Sequence, residues 1–259
     1  MHQPIRPKSL DELSAMRASG RILAGALAEV EAALKPGATT IELDRVAETY
    51  IKDHAGIPSF LGVPSGAEEV DPFPATICAS INDVIVHGIP SSAVLEEGDI
   101  ITVDCGVILD GWHSDSAHTF AIGEVSSKTQ RLLDVTRKAL DVAISASVVG
   151  GFIGDIGEAV QVVAEKAGFT VVKRFVGHGI GKSMHESPQV PNFGMAGTGI
   201  ELDAGTTLAI EPMVNIGSPE VIIDSDGWTA RTADGSLSAH FEHTVAVTAD
   251  GPCVLTDGS

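Results

Sequence analysis

The stretch IITVDCGVILDGWHSDSAHTF, residues 100–120, places Asp110-Gly111 between two apolar, β-branched runs. Asp-Gly in that setting is a two-residue hairpin signal, so the segments at 100–108 and 117–122 are expected to be the strands of an antiparallel pair. Asp104 has almost wholly apolar neighbours, and a carboxylate on such a buried strand needs a partner. Asp115 lies beyond the turn on the next strand, where it can approach Asp104 side by side. Two bare carboxylates repel, and a cation between them resolves the conflict. Backbone amides or an arginine could hold either aspartate taken alone.

Working outward, two helices are expected before the hairpin and two after it. Ser9-Leu10-Asp11-Glu12 has the capping-box form, followed at helical spacing by Ile22, Leu23, Ala26, Leu27, Val30 and Leu34 up to Pro36-Gly37. Thr39-Thr40-Ile41-Glu42 repeats the signal ahead of Leu43, Val46, Ala47, Tyr50 and Ile51, with Gly56 as the stop. Strand-like segments at 75–81 and 84–86 then lead to the hairpin. Beyond it, Ser127-Lys128-Thr129-Gln130 is expected to cap a helix to about Val149, and Asp155-Ile156-Gly157-Glu158 another to Gly168, with further strands behind.

The order is therefore repeated, and so are some residues. His87-Gly88-Ile89 recurs as His178-Gly179-Ile180, and Gly98 precedes Asp104 by the same interval as Gly205 precedes Glu211. Two duplicated helix–helix–sheet units predict an α+β fold, with helices on one side of a shared antiparallel sheet and a pseudo-twofold axis between halves at about 9–125 and 126–254. A site on that axis would draw acids from both halves. No Pro-rich or Gly/Ser-rich linker separates them, so residues 9–259 are expected to form one catalytic domain behind an N-terminal arm, 1–8. The loop GVPSGAEEVDPFP at 62–74 is either a binding-site loop or a surface excursion. Pro4-Ile5-Arg6-Pro7 has PxxP form, but its place beside the terminus suits an ordinary extended arm.

Glu211, in TTLAIEPMV, has the same apolar setting as Asp104, and Glu242, in SAHFEHTVAVT, is a fourth acid placed at a strand. His178 stands in VGHGIGKSMHE, where glycines let the backbone pass close to a site and expose the imidazole. Four carboxylates match two divalent cations in charge. An oxygen-rich, nitrogen-poor set suits Mn²⁺, Fe²⁺ or Co²⁺ at least as well as Zn²⁺. Such a centre is that of a two-metal hydrolase, in which a water between the ions becomes hydroxide and attacks a polarised carbonyl.

Composition narrows the partners. The 259 residues carry 35 acidic and 16 basic side chains, a formal charge of −19, which disfavours direct contact with phosphate backbones. Cys78, Cys105 and Cys253 form no CxxC pair, so reduced thiols in a cytoplasmic protein are expected, and no apolar run suggests membrane binding or a secretion signal.

INDVIVHGIP, VDCGVILDGWHSDSAHTF, GHGIGKSMHESPQVPN, LAIEPM and SLSAHFEHTVAVT, in that order between about Ser9 and Val254, together resemble the type I methionine aminopeptidases. The resemblance implies the pita-bread fold and removal of an N-terminal methionine from nascent polypeptides when the second residue is small. It makes Asp104 and Asp115 ligands of one metal ion, Asp115 and Glu242 carboxylates bridging to the second, and His178 and Glu211 the rest of that second shell. His87 and His185 match the two non-ligand histidines, one near the substrate amine and one able to hydrogen-bond the scissile amide, while Glu211 relays a proton. Phe73, Cys78, His87, Met184, His185 and Trp228 correspond to the substrate pocket, although Phe73 and Met184 stand where other aromatics are frequent. Asn82, Val84 and Ser238 correspond to a monovalent site for Na⁺ or K⁺, held mainly through backbone carbonyls. A monomer touching the ribosome transiently is also implied.

The short interval from Glu211 to Glu242 leaves no room for the helical insertion of the type II enzymes. An Xaa-Pro peptidase would share fold and ligands but carry an added N-terminal domain and other residues around the last glutamate; Phe241-Glu242-His243-Thr244 fits the methionine enzymes better. With bulky His2 next in line, this chain's own Met1 is expected to be retained.

Overall fold

Ser9 begins the first helix, α1 (Leu10–Ala33), as its capping box predicts: Ser9 Oγ accepts from the Glu12 amide at 3.3 Å and the Glu12 carboxylate accepts from the Ser9 amide at 2.9 Å. The computed structural model describes residues 5–67 and 69–259. Met1, His2 and Pro4 of the PxxP, and Glu68 of the 62–74 loop, lie outside the described residues. Helix α2 (Thr40–Asp53) starts at Thr39, whose hydroxyl donates to Glu42 instead of accepting from the backbone.

Two of the expected caps shift. Helix α3 (Ser127–Ala146) is capped by Ser126, whose Oγ takes the Thr129 amide at 3.1 Å, one residue before the predicted cap. Helix α4 (Ile153–Lys166) starts ahead of Asp155, which occupies the third helical position and accepts from the Phe152 amide at 2.7 Å. An acid there serves as well as one at the cap, since both satisfy a free amide of the first turn.

The strands of the first half are β1 (Ile57–Pro58), β2 (Ile77–Ile81), β3 (Val84–Val86), β4 (Ile100–Leu109) and β5 (Trp112–Ala121). Those of the second are β6 (Thr170–Val171), β7 (Gly177–Gly179), β8 (Glu186–Val190), β9 (Thr207–Ile210), β10 (Met213–Asn215), β11 (Val221–Ile223), β12 (Ala230–Thr232), β13 (Ser238–His240), β14 (His243–Thr248) and β15 (Gly251–Val254). The hairpin turn is where the sequence placed it, with φ of 51° at Asp110 and 76° at Gly111, the left-handed pair of a tight two-residue connection. Strand β5, however, begins at Trp112 and not at 117. Asp115 is on this strand as expected, paired with Gly106, and the polar His113, Ser114 and Ser116, outside the expected segment, are paired as well, with Ile108, Val107 and Cys105.

The shared sheet is divided into four ladders: β1-β4-β2 with β5 on β4, β13-β10-β6, β11-β12-β3 and β15-β14-β9-β7-β8. Glu211-Pro212 interrupts the path from β9 to β10, and Phe241-Glu242 that from β13 to β14, so neither glutamate is a strand residue as expected. Pro212 has no amide to continue a ladder. The pieces are stitched across the middle, where the Glu242 amide donates to the Ala117 carbonyl at 2.8 Å and Ser116 Oγ to the Glu242 carbonyl at 2.7 Å. The two largest apolar clusters fall mainly one to each half, and a smaller one joins Met16 and Trp112 to Ile180 and Met184 across them. Leu23, Leu27, Leu43, Ile51, Ile77 and Ile101 are buried in the first, and Leu132, Leu140, Ile156, Val160, Leu208 and Phe241 in the second. Burial of each such side chain is worth about 1.5–3 kcal/mol.

The N-terminal arm ends tied to the second half. The Lys8 amide donates to Gly205 O at 2.7 Å, and its buried ammonium meets Glu186 at 2.7 Å, next to His185. No helix among the described residues is long and apolar enough to cross a membrane.

Candidate metal centre and pocket

Asp104 and Asp115 face the same cavity, though not rung to rung. Asp104 pairs with Ala117 and Asp115 with Gly106, so the two carboxylates meet diagonally on one face of the hairpin. On the other side of β4, Cys78 stands opposite Asp104. Gly106 is glycine for a reason of space: a Cβ there would lie 2.8 Å from Met184 Cε. Asp115 is held in place by Thr244, whose hydroxyl accepts its amide and donates to its carbonyl, both at 2.9 Å.

The second half brings His178, Glu211 and Glu242 to the same point. Asp115, His178 and Glu242 each offer a ligand atom within 4.8 Å of one another. His178 Nε2 is 3.8 Å from both Asp115 Oδ2 and Glu211 Oε1. That separation is too long for a hydrogen bond and suits donors that share an ion. His178 Nδ1 lies 2.9 Å from Gly179 O, which can only accept. The ring proton is thereby fixed on Nδ1, and a bare Nε2 lone pair faces the carboxylates. The glycines around His178 serve a different end from the one expected, because the imidazole is buried. A Cβ at Gly177 would come within 2.4 Å of Ala209 O, and one at Gly179 within 2.2 Å of Ser187 O, so they permit close backbone packing.

The acids fit divalent cations. Asp104 Oδ1, Asp115 Oδ1 and Glu242 Oε1 are buried with no hydrogen-bond partner, which is costly for any carboxylate that no cation neutralises. Burial lifts Asp104 to about 7. Burial, reinforced by neighbouring carboxylates, raises Asp115, Glu211 and Glu242 well above the ordinary carboxylate range. Burial pushes the histidines the other way, His178 to about 3 and His87 to about 4, with His185 also lowered. A neutral imidazole is the form that binds metal or donates a single hydrogen bond.

These directions predict how binding responds to pH. Carboxylates with raised pKa values hold protons that a cation must displace, whereas the ligand His178, pushed down to about 3, is already unprotonated above pH 5. Mn²⁺ affinity is therefore expected to rise between pH 6 and 8 by up to about tenfold per unit for each proton released. Calorimetric titrations in buffers of different ionisation enthalpy would measure that release. An affinity flat across this range would contradict the raised carboxylate values.

The cavity beside the acids is lined by Phe60, Val63, Phe73, Cys78, His87, Met184, His185 and Trp228. All the residues assigned to the centre and the pocket thus come together. His87 sits at φ 60°, a left-handed conformation rare for a non-glycine residue, and its ring meets Phe175 edge-on at 5.3 Å and Trp228 at 6.1 Å. His185 packs against His178 with ring centroids 4.4 Å apart. The 62–74 loop closes on itself through Gly62 N to Phe73 O and Phe73 N to Val63 O, both 2.8 Å, while Trp228 Nε1 donates to Asp71 O at 2.9 Å. Of its two readings, the binding-site one fits, because Val63 and Phe73 form pocket wall. Asn82, Val84 and Ser238 lie close together outside this cavity. The Ser238 amide donates to Asn82 O at 2.9 Å, and Asn82 also binds Asp99 and the Ile100 amide.

Three neighbours were not singled out from sequence. Phe60 and Val63 line the pocket, and His240 is buried with Nε2 3.8 Å from carboxylate oxygens of both Glu211 and Glu242. Its position two residues before Glu242 on an extended segment was the available signal, since residues at that spacing share a face.

Five converging oxygen and nitrogen donors beside a soft apolar slot are the donor set of a carboxylate-rich metallohydrolase. Residues 14–249 match the model of metallopeptidase family M24. The chain is 46% identical over 249 residues to a methionine aminopeptidase of Clostridium perfringens and 48% identical over 250 residues to one of Clostridium acetobutylicum. Each alignment covers 96% of this chain and 97% of the relative. The structure of a methionine aminopeptidase from Thermotoga maritima superposes with a TM-score of 0.94 at 39% identity, covering 98% of this chain and 99% of the other. The protein belongs to family M24 and, within it, to the methionine aminopeptidases, with their pita-bread fold.

Proposed function

We propose that the protein removes the initiator methionine from newly made chains whose second residue is small. The observation that carries this is the single cavity in which an apolar slot, formed by Phe60, Phe73, Cys78, Met184 and Trp228, opens directly onto Asp104, Asp115, His178, Glu211 and Glu242. A thioether side chain suits such a slot, because sulfur is polarisable and packs well against aromatic edges. Two divalent cations bound by the five ligands would acidify a water and polarise the scissile carbonyl.

This chain's residues supply the rest. His87, kept neutral by burial, lines the slot where the substrate amine enters. His185, also neutral, can donate to the scissile amide and steady charge developing on it. Glu211, whose carboxylate would face the reacting water beside the ions, is suited to take a proton from it and return it to the leaving amine. In this reading the ions are cobalt, manganese, iron or zinc. Residues 9–259 act as one catalytic domain, and a cytoplasmic monomer meets its substrates near the ribosome, with Na⁺ or K⁺ beside Asn82, Val84 and Ser238.

The test is release of methionine from Met-Ala-Ser by the Mn²⁺-supplemented protein, set against cleavage of an Xaa-Pro peptide. Methionine release is expected, with kcat falling about 10²–10⁴-fold in Glu211→Gln. Activity confined to the Xaa-Pro peptide would sink the proposal.

A further inference from the structure

His240 is the histidine of the site whose two ring nitrogens are both fully buried without a hydrogen-bond partner, among the described residues. The residue is 1% exposed. Its backbone, by contrast, is fixed. The amide donates to Thr119 Oγ1 at 2.9 Å, Thr119 Oγ1 donates to its carbonyl at 2.7 Å, and the residue pairs with Met213 across β10 and β13. The imidazole cannot withdraw toward solvent, and an unpaired buried polar ring is costly. The carboxylates within its reach are Glu211 Oε2 and Glu242 Oε2, each 3.8 Å from Nε2.

We propose that His240 is a positioning residue of the metal centre, donating its Nε2 proton to Glu211 and Glu242 and so holding both glutamates with their other oxygens toward the ions. The inference rests on the metal-dependent reading above. A contraction of well under 1 Å would turn either separation into a charge-assisted hydrogen bond. Ionised glutamates, neutralised on one side by cations, still need a donor on the other, and a neutral imidazole has one to give. His178 shows why His240 is not a further ligand. A ligand histidine has its far nitrogen committed to a carbonyl, as His178 Nδ1 is to Gly179 O, whereas His240 Nδ1 has no acceptor to fix the proton away from the site.

Metal-free wild type, His240→Leu and His240→Gln would be titrated with MnCl₂ by calorimetry, and kcat and KM measured on Met-Ala-Ser. The leucine variant is expected to bind Mn²⁺ about 10–100-fold more weakly and to lose kcat at saturating Mn²⁺ with little change in KM. Glutamine, whose amide reaches as far as Nε2 and can donate, is expected to restore both. Wild-type affinity in His240→Leu overturns the inference while leaving metal-dependent catalysis intact. Equal loss in both variants, with altered visible absorption of the Co²⁺ forms, makes His240 a ligand and also overturns it. Failure of wild type itself to bind Mn²⁺ would remove the reading on which it rests.

Discussion

Asp115→Asn is expected to abolish turnover of methionine peptides while making the metal-free protein melt at a higher temperature than wild type above pH 7. Asp115 lies within ligand distance of His178 and Glu242 and carries a buried oxygen with no partner, so it is the residue most surrounded by the centre. Burial is the first cause of its raised pKa, followed by the charges of Glu242 and Asp104. The sign of the stability effect follows from linkage. Its folded pKa is above the unfolded value, so the native state holds the proton more tightly, and stability falls as pH rises from the unfolded toward the folded value. Wild-type apoprotein bears this strain at pH 8, and a neutral amide of the same shape does not. With Mn²⁺ present the order should reverse, because only wild type gains binding free energy from the ion. Differential scanning calorimetry at pH 6 and 8, with and without Mn²⁺, checks all four values. An asparagine variant less stable than wild type in every condition would show that Asp115 is structural rather than strained for function.

Much of this centre was readable because buried acids are rare enough to announce themselves. Asp104 and Glu211 stand in apolar runs, and the Asp110-Gly111 turn brings the two aspartates onto one face. What was not readable shares one cause: local polarity hid tertiary burial. His113, Ser114 and Ser116 are polar and fall outside the segment expected at 117–122, yet they are strand residues packed against the other half, as Ser116 Oγ on the Glu242 carbonyl shows. Glu211 and Glu242 read as strand residues, but each sits at a break, since Pro212 cannot donate and Glu242 pairs across to Ala117. The cap at Asp155 was displaced because an acid at the third helical position can satisfy the same free amides as one at the cap. His240 carries little signal of its own in the sequence, because its neighbour Glu211 sits in the β9–β10 break, far from it along the chain, and only Glu242, in the β13–β14 break, is close in sequence.

Gly179→Ala should be the most damaging single-methyl change in the site, although glycine there adopts an ordinary negative φ. The added Cβ would stand 2.2 Å from Ser187 O, 2.6 Å from Ser187 C and 3.1 Å from Glu186 C. These are backbone atoms, so relief requires β8 to move away from β7 and not merely a side chain to turn. Overpacking of this kind costs about 1–3 kcal/mol, and more where the obstacle is main chain. The displacement would also reach chemistry by two routes. The Gly179 carbonyl holds the His178 ring, and Glu186 adjoins His185 while anchoring Lys8. A misplacement of about 1 Å can cost 10²-fold in rate, so kcat is expected to fall by at least that factor even below the variant's melting transition. Metal affinity should weaken alongside it, because His178 Nε2 no longer points at Asp115 and Glu211. Calorimetric Mn²⁺ titration and kcat measured well below that transition separate this from simple unfolding. A folded Gly179→Ala protein with wild-type affinity and turnover would mean that the β7–β8 contact is softer than its distances require.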